Sequence, residues 1–133
     1  MTEELARRCE KASGADAADL LYEAWNTLVQ ADLEFRRFAC TIIGRPDGKT
    51  NAGRFADLLD NGGFVDAAFM LVPEGWNVDM GIRQTRALAW AELARPEHDP
   101  LLVGKYSGRA AKTPALALCA AALRARSTPR QYD

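Results

Sequence analysis

Two stretches decide the fold of this chain: FMLVPEGW at residues 69–76 and TPALALCAAALRAR at residues 113–126. In the first, an apolar helix end is followed by a proline, which cannot continue the helix, and by a glycine turn. In the second, a threonine cap and a proline at the first helical position predict a helix over about 114–126. That helix has no polar face, so we expect it to be buried on more than one side.

The spacing of apolar residues changes at Trp76 from a helical repeat to alternation. Every second residue over 76–82 is apolar, which predicts a half-buried strand, and residues 86–93 predict a second strand after a short turn. The two strands form a hairpin over about 76–93. Small apolar residues line one face of the second strand and Leu88 and Trp90 the other, so we expect cover on both faces. Residues 101–103 predict a short third strand, and 104–112 a flexible basic connection.

Helical periodicity dominates the rest of the chain. The pattern predicts helices over about 2–12, from Ser13 or Asp16 to about residue 30, over 54–60 and over 64–72, where Pro73 ends the last of them. Residues 33–43 fit either a helix or a strand, and the apolar spacing favours the helix. Residues 44–53 read as a polar loop, because turn-forming residues are concentrated there. The Gly48-Lys49-Thr50 triplet in this loop lacks the upstream glycine of a phosphate-binding loop.

Length and composition predict a single domain over residues 1–133. The 133 residues are 48% hydrophobic and 26% charged, which is typical of a soluble globular chain. The longest apolar run is too short to cross a bilayer, and the acidic start Thr2-Glu3-Glu4 does not resemble an export signal. We therefore expect a cytoplasmic protein of a bacterial host cell with no membrane partner. Three widely spaced cysteines, Cys9, Cys40 and Cys119, are more typical of reduced thiols in a core than of disulfides.

The net charge of −1 conceals an uneven distribution of charged residues. Residues 101–133 contain six Lys and Arg and one acidic residue, whereas residues 1–100 contain eleven basic and seventeen acidic residues. A basic segment at 105–126 could contact nucleic-acid phosphates. Arginines in the last turn of a helix also complement its dipole, and this reading is favoured. Nucleic-acid binding through 105–126 is therefore an alternative function and not the leading one.

Two separated blocks of the chain resemble a known family. LVPEGW at residues 71–76, followed by a hairpin and then by TPALALCAA at 113–121, looks like the phage ABA sandwich domain of small bacteriophage and prophage proteins. The resemblance covers most of the chain and leaves 33–53 as a divergent insert. It implies an α+β fold built as a small three-layer α/β/α sandwich, with helices on both faces of a short antiparallel sheet. It brings no known activity, cofactor or catalytic residue. Residues 127–133, at the end of the chain, are expected to form a loose tail.

The candidate chemical residues do not converge in the sequence. His98 is the single histidine, and its neighbours Glu97 and Asp99 are too close along the chain to share one metal ion with it. Asp57, Asp60 and Asp66 miss the spacing of a calcium-binding loop. We therefore predict no catalytic residues, no metal and no cofactor, and treat a small enzyme using these residues as a remote alternative.

The predicted interaction surface consists of Trp76, Trp90, Arg109 and Lys112. Trp76 and Trp90 lie at strand positions where aromatic residues normally supply core or cross-strand packing, and this is the favoured interpretation; a recognition surface for a peptide or a base is the alternative. The family resemblance, the lack of a catalytic residue set and the surplus apolar surface on the last helix and the second strand favour a non-enzymatic phage or prophage accessory protein that binds an unknown host or phage protein. Self-association as a homodimer through that surface is its simplest form.

Overall fold

The computed structural model describes residues 2–42, 49–84, 86–95 and 105–127. The described residues form six α-helices and three strands, with a 3₁₀ turn over Gly14–Asp16. The helices are α1 (Thr2–Lys11), α2 (Ala17–Ala31), α3 (Leu33–Cys40), α4 (Asn51–Asp60), α5 (Phe64–Phe69) and α6 (Pro114–Ser127), and the strands are β1 (Asn77–Arg83), β2 (Leu88–Ala94) and β3 (Lys105–Ala111). The predicted α+β class and the short antiparallel sheet are confirmed.

The sheet has the antiparallel order β1-β2-β3, with β2 in the middle. Alternation along β2 buries Ala89, Ala91 and Leu93 on one face and leaves Leu88 and Trp90 half-buried on the other. The hairpin register places Met80 opposite Ala91 and so joins the apolar positions of β1 to the buried face. This agrees with the alternation predicted from the sequence.

Helix α6 lies at the centre of the fold. Thr113 caps it, since its Oγ1 accepts a hydrogen bond from the Leu116 N–H at 3.2 Å. Every residue from Ala115 to Leu123 is buried, which confirms burial on more than one side. Strands β2 and β3 and helices α1, α2 and α5 all pack against α6, and α1 also contacts β3 at the edge of the sheet.

The layers are therefore the sheet, α6 and the outer helices, so that α6 rather than the sheet is the middle layer. Among the described residues, helices cover only the buried face of the sheet, and the face that carries Leu88 and Trp90 stays open. The physical reason is that α6 is apolar all round and needs cover on two sides, which one sheet face and the outer helices supply. Because α6 is enclosed within one chain, it offers no surplus apolar surface for a second copy.

Gly108 of β3 allows the close contact between the sheet and α6. A Cβ atom at this position would lie 2.0 Å from the carbonyl oxygen of Ala117 in α6. Only glycine lets the two backbones approach so closely. The glycine therefore determines how deeply α6 packs against β3.

An aromatic cluster holds the N-terminal half together. The Trp25 ring of α2 stacks on Phe55 of α4 at a centroid distance of 4.2 Å and meets Phe35 of α3 edge-on at 4.8 Å. Phe35 and Phe55 are fully buried. These contacts account for residues 33–40 being helical, because a helix at this position directs Phe35 and Ala39 into the core. The favoured helix over residues 33–43 is thus confirmed over its first eight residues.

Several elements differ from the sequence prediction, three of them for a physical reason that the structure shows. Helix α4 begins at Asn51 rather than 54, because the Thr50 hydroxyl caps it by accepting from the Gly53 N–H. Helix α5 ends at Phe69, and the chain continues to Val72 in tighter i→i+3 turns before Pro73. Residues 105–111 are a strand and not a flexible connection, because they pair with β2. The strand predicted at 101–103 lies outside the described residues.

Helices long and apolar enough to cross a membrane are absent from the described part of the chain.

Candidate functional site

The open face of the sheet contains a groove of about 700 Å³. We call it the arginine groove and define it by Arg83, Arg86, Trp90 and Arg109, which line it together with Glu92 and Ser107 among others. Trp90 projects from the central strand, and β1 and β3 supply the flanking residues. The groove combines one half-buried aromatic ring with three exposed guanidinium groups.

Trp90 takes its position from a glycine on the neighbouring strand. The register pairs Trp90 with Gly81, and a Cβ at Gly81 would lie only 3.0 Å from the indole Nε1. The ring therefore lies across β1, where a side chain would otherwise stand. This leaves a flat aromatic surface that extends toward the outer edge of β1.

A β-bulge places Arg109 beside Trp90. The register pairs Ala91 with Gly108 and Ala89 with Ala111, so Arg109 and Ala110 together oppose Trp90 alone. Ala110 adopts a φ of 55°, a left-handed conformation that is uncommon for a residue with a side chain. The Arg109 N–H donates a hydrogen bond of 2.6 Å to Glu10 Oε2 of α1. The bulged backbone is thereby held while the Arg109 side chain remains exposed.

The three groove arginines lack acidic partners within the described residues. Arg83, Arg86 and Arg109 form no ion pair there through their side chains. Arg83 ends β1 and Arg86 lies in the turn before β2, so two of the cations lie at the same end of the hairpin. The groove thus presents positive charge beside an apolar ring.

The structure separates the four residues of the predicted interaction surface. Trp90 and Arg109 line the arginine groove together. Trp76 instead contacts Tyr106 at a centroid distance of 5.8 Å and packs against the edge of the core, with the Arg95 guanidinium 5.5 Å from its ring centre. Lys112 is exposed beyond the end of β3. The sequence analysis missed Arg83 and Arg86. Alternation along β1 could have placed Arg83 near Trp90 had the register been known, whereas Arg86 lies in the turn and has no such signal.

The two arginines at the C-terminal end of the segment 105–126 stabilise the fold through contacts with other elements. Arg124 pairs with Glu10 at 2.7 Å and with Glu3 at 2.9 Å and donates to the Ser107 carbonyl at 2.6 Å. Arg126 donates to the Leu71 carbonyl at 2.5 Å, and its guanidinium lies 4.7 Å from the Phe35 ring centre. These contacts fasten α6 to its neighbours. Within the predicted nucleic-acid segment, Arg109 and Lys112 are therefore the exposed cations whose side chains the structure describes.

The ionised carboxylate of Glu10 is expected to make the free energy of unfolding depend on pH. Burial raises the pKa of Glu10, but hydrogen bonds from Arg124 and from the Arg109 N–H outweigh it, so the pKa lies below the ordinary 4.5. A lowered pKa contributes stability above about pH 4.5 that is lost as the pH falls through the pKa of the folded state. We expect Glu10→Gln to lower the free energy of unfolding by about 1–3 kcal/mol at pH 7, and the difference from wild type to shrink as the pH falls below 4.5.

Urea denaturation at pH 7, 5, 4 and 3 checks this dependence. Glu4→Gln, an exposed position on the same helix, is the matched control and is expected to follow wild type. If the free energy of unfolding of Glu10→Gln differed from that of wild type by the same amount at every pH, the ionised Glu10 carboxylate would not be the group that stabilises the fold.

The other candidate residues of the sequence do not form a site. Asp57 forms an ion pair with Lys49, and Asp60 and Asp66 are exposed. The described ranges contain no group of three or more His, Cys, Asp or Glu residues that could hold a metal ion. Cys40 is exposed at the end of α3. His98 and its acidic neighbours lie outside the described residues.

A second groove, of about 610 Å³, lies between α1 and α2. Its charges largely satisfy one another, since Arg8 donates to both carboxylate oxygens of Glu23 at 2.7 and 2.9 Å. This groove therefore presents less uncompensated charge than the arginine groove.

Comparison with protein-family models, with curated proteins and with solved structures finds no significant match to this chain. The resemblance to the phage ABA sandwich domain remains a prediction from the sequence.

Proposed function

We propose that this protein is a non-enzymatic accessory protein of phage or prophage origin that binds an acidic segment of another protein in the arginine groove. The observation that carries the proposal is the presence of three arginines without acidic partners in the described residues around the half-buried Trp90. The phage origin rests on the resemblance of residues 71–76 and 113–121 alone.

The residue types in the groove favour a protein partner. Arginine and tryptophan are enriched among the residues that dominate the energetics of protein interfaces. A guanidinium group can hold a carboxylate through two parallel hydrogen bonds, and three such groups around one ring suit an acidic segment with an apolar or aromatic side chain between its carboxylates. Leu88, half-buried on the same face, adds apolar contact area.

The position of β1 supports an extended partner segment. β1 is an edge strand of the described sheet, and its outer edge has no partner strand within the described residues. Backbone groups at such an edge can pair with a strand from another chain. A segment added there would lie beside Arg83 and the Trp90 ring, because that ring extends across Gly81 toward the same edge.

The test compares binding by groove variants. The tagged protein is incubated with nuclease-treated lysate of the bacterial host, and captured proteins are identified by mass spectrometry. In parallel, a fluorescein-labelled glutamate-rich peptide is titrated by fluorescence anisotropy. We expect Arg83→Glu combined with Arg86→Glu to lose the captured partner and to weaken peptide binding at least about tenfold.

The matched control reverses two exposed charges outside the groove. Lys11→Glu combined with Arg37→Glu changes the net charge equally, on helices α1 and α3. It is expected to retain the partner. Equal loss with both double variants would attribute binding to net charge, and retention of every partner by the groove variant would contradict the proposal.

The same groove favours a second candidate function, which is binding of single-stranded nucleic acid. An aromatic ring flanked by arginines is the combination on which bases stack while cations contact phosphates. Binding of labelled oligo(dT) that falls steeply with salt and is lost in the Arg83/Arg86 variant would favour this function. Arg109→Glu and Lys112→Glu, singly, would separate the groove cation from the exposed lysine of the basic segment.

A further inference from the structure

Two buried cysteines face each other across the contact between α1 and α6. The Sγ atoms of Cys9 and Cys119 are 3.7 Å apart, and both residues are fully buried. They are separated by 110 positions in the sequence. The third cysteine, Cys40, is exposed at the end of α3 and supplies a comparison within the same chain.

We propose that Cys9 and Cys119 form an oxidation site, in which peroxide converts the two thiols into an intramolecular disulfide between α1 and α6. A disulfide bond is about 2.05 Å long, so the sulfurs must approach each other by about 1.7 Å. Side-chain rotation can supply much of this movement. Packing also favours the encounter, since Arg124 of α6 pairs with Glu3 and Glu10 of α1 and holds the two helices together.

The chemistry balances with peroxide as the oxidant. The Cys9 thiolate attacks one oxygen of hydrogen peroxide, the O–O bond breaks, and Cys9 sulfenic acid and hydroxide form. The Cys119 sulfur then attacks the Cys9 sulfur, and its proton leaves with the sulfenic oxygen as water. Two electrons pass from the thiol pair to the peroxide.

The surroundings of the pair assign the first step to Cys9. The hydrogen bond with Cys119 lowers the pKa of Cys9, and the nearby Arg8 charge also lowers it, while burial and the carboxylates of Glu23 and Glu10 oppose both. The same thiol–thiol hydrogen bond and complete burial raise the pKa of Cys119. Both sulfurs are fully buried, so peroxide reaches them when the contact between α1 and α6 opens locally, and the lowered pKa of Cys9 assigns the first attack to that thiol.

The expected physical consequence is a more heat-resistant protein. A link between residues 9 and 119 closes a long loop and restricts the unfolded chain. We expect the oxidised protein to melt on the order of 10 °C higher than the reduced protein. Reduction with a phosphine should reverse this increase.

Peptide mapping of the full-length protein tests the site. The protein is treated with hydrogen peroxide, alkylated with iodoacetamide in denaturant without reductant, and digested with trypsin. Trypsin releases Cys9 in CEK (residues 9–11), Cys119 in TPALALCAAALR (113–124) and Cys40 in FACTIIGRPDGK (38–49). We expect the first two peptides to be joined as one species that disappears on reduction. The Cys40 peptide is expected to be linked to neither of them.

Two variants keep the result interpretable. Cys40→Ser removes the exposed thiol and should leave the Cys9–Cys119 link and the rise in melting temperature unchanged. Cys9→Ala should abolish the link. If both peptides carry the alkyl group at peroxide doses that oxidise Cys40, or if Cys40 joins Cys119 as readily as Cys9 does, then the two thiols merely fill the core and the proposal is wrong.

Discussion

Replacing Gly108 with alanine is expected to destabilise the protein by at least about 3 kcal/mol. The new Cβ would lie 2.0 Å from the carbonyl oxygen of Ala117 and 2.8 Å from its carbonyl carbon. Both atoms belong to the backbone of α6, so no side chain can rotate away. Relief requires β3 and α6 to separate, and their separation opens the centre of the fold.

Urea denaturation followed by circular dichroism measures this loss. Gly53→Ala in α4 is the matched control, because its Cβ would meet atoms no closer than 3.6 Å, an ordinary contact. Alanine in that helix is expected to stabilise by about 0.5–1 kcal/mol. A Gly108→Ala protein as stable as wild type would mean that α6 does not cross β3 at this position.

Replacing Leu118 with aspartate is expected to cost more than about 3 kcal/mol, enough to unfold much of the protein at 37 °C. Leu118 has 0% of its surface exposed and lies in the middle of α6. A carboxylate there would be buried among apolar residues. It would either lose its hydration without a counter-charge or take up a proton at a cost to folding.

Leu33→Asp is the control for this second variant. Leu33 is 56% exposed at the start of α3, where a negative charge also suits the helix dipole. We expect a change within about 0.5 kcal/mol. Thermal unfolding of both proteins compares them directly, and near-normal melting of Leu118→Asp would contradict the central position of α6.

Elements with local signals could be predicted from the sequence. Thr113 and Pro114 mark the start of α6, and the observed cap and the burial of Ala115 to Leu123 match that prediction. The β1–β2 hairpin likewise followed from alternation of apolar residues, because that period is visible in a single strand. Both signals depend only on residues a few positions apart.

Strand β3 had no such signal. Its sequence KYSGRAA is rich in glycine, alanine and serine, and strands are more often built from branched and aromatic residues. It becomes a strand because β2 offers backbone hydrogen bonds and because Gly108 lets α6 approach. Both contacts are made between elements, so the residue pattern within 105–111 does not show them.

The candidate site was likewise only partly predictable from the sequence. Trp90 and Arg109 could be selected from the sequence as interface residue types, but Trp76 could not be separated from them. The strand register and the bulge opposite Trp90 decide that Trp90, Arg83 and Arg109 meet while Trp76 packs toward the core. A one-residue change in register would move every side chain of a strand to the opposite face.

The sequence by itself determined the α+β class, the hairpin and an apolar helix in need of cover on two sides, since composition and periodicity act locally. Only the tertiary structure decided that α6 is the middle layer, that β3 is a strand, and that one sheet face stays open to form the arginine groove. The physical reason is that strand register, close backbone approach and burial are set by contacts between separate elements, as Gly108 of β3 with Ala117 of α6 and Gly81 of β1 with Trp90 of β2 illustrate, and such contacts leave no periodic signal within a single element.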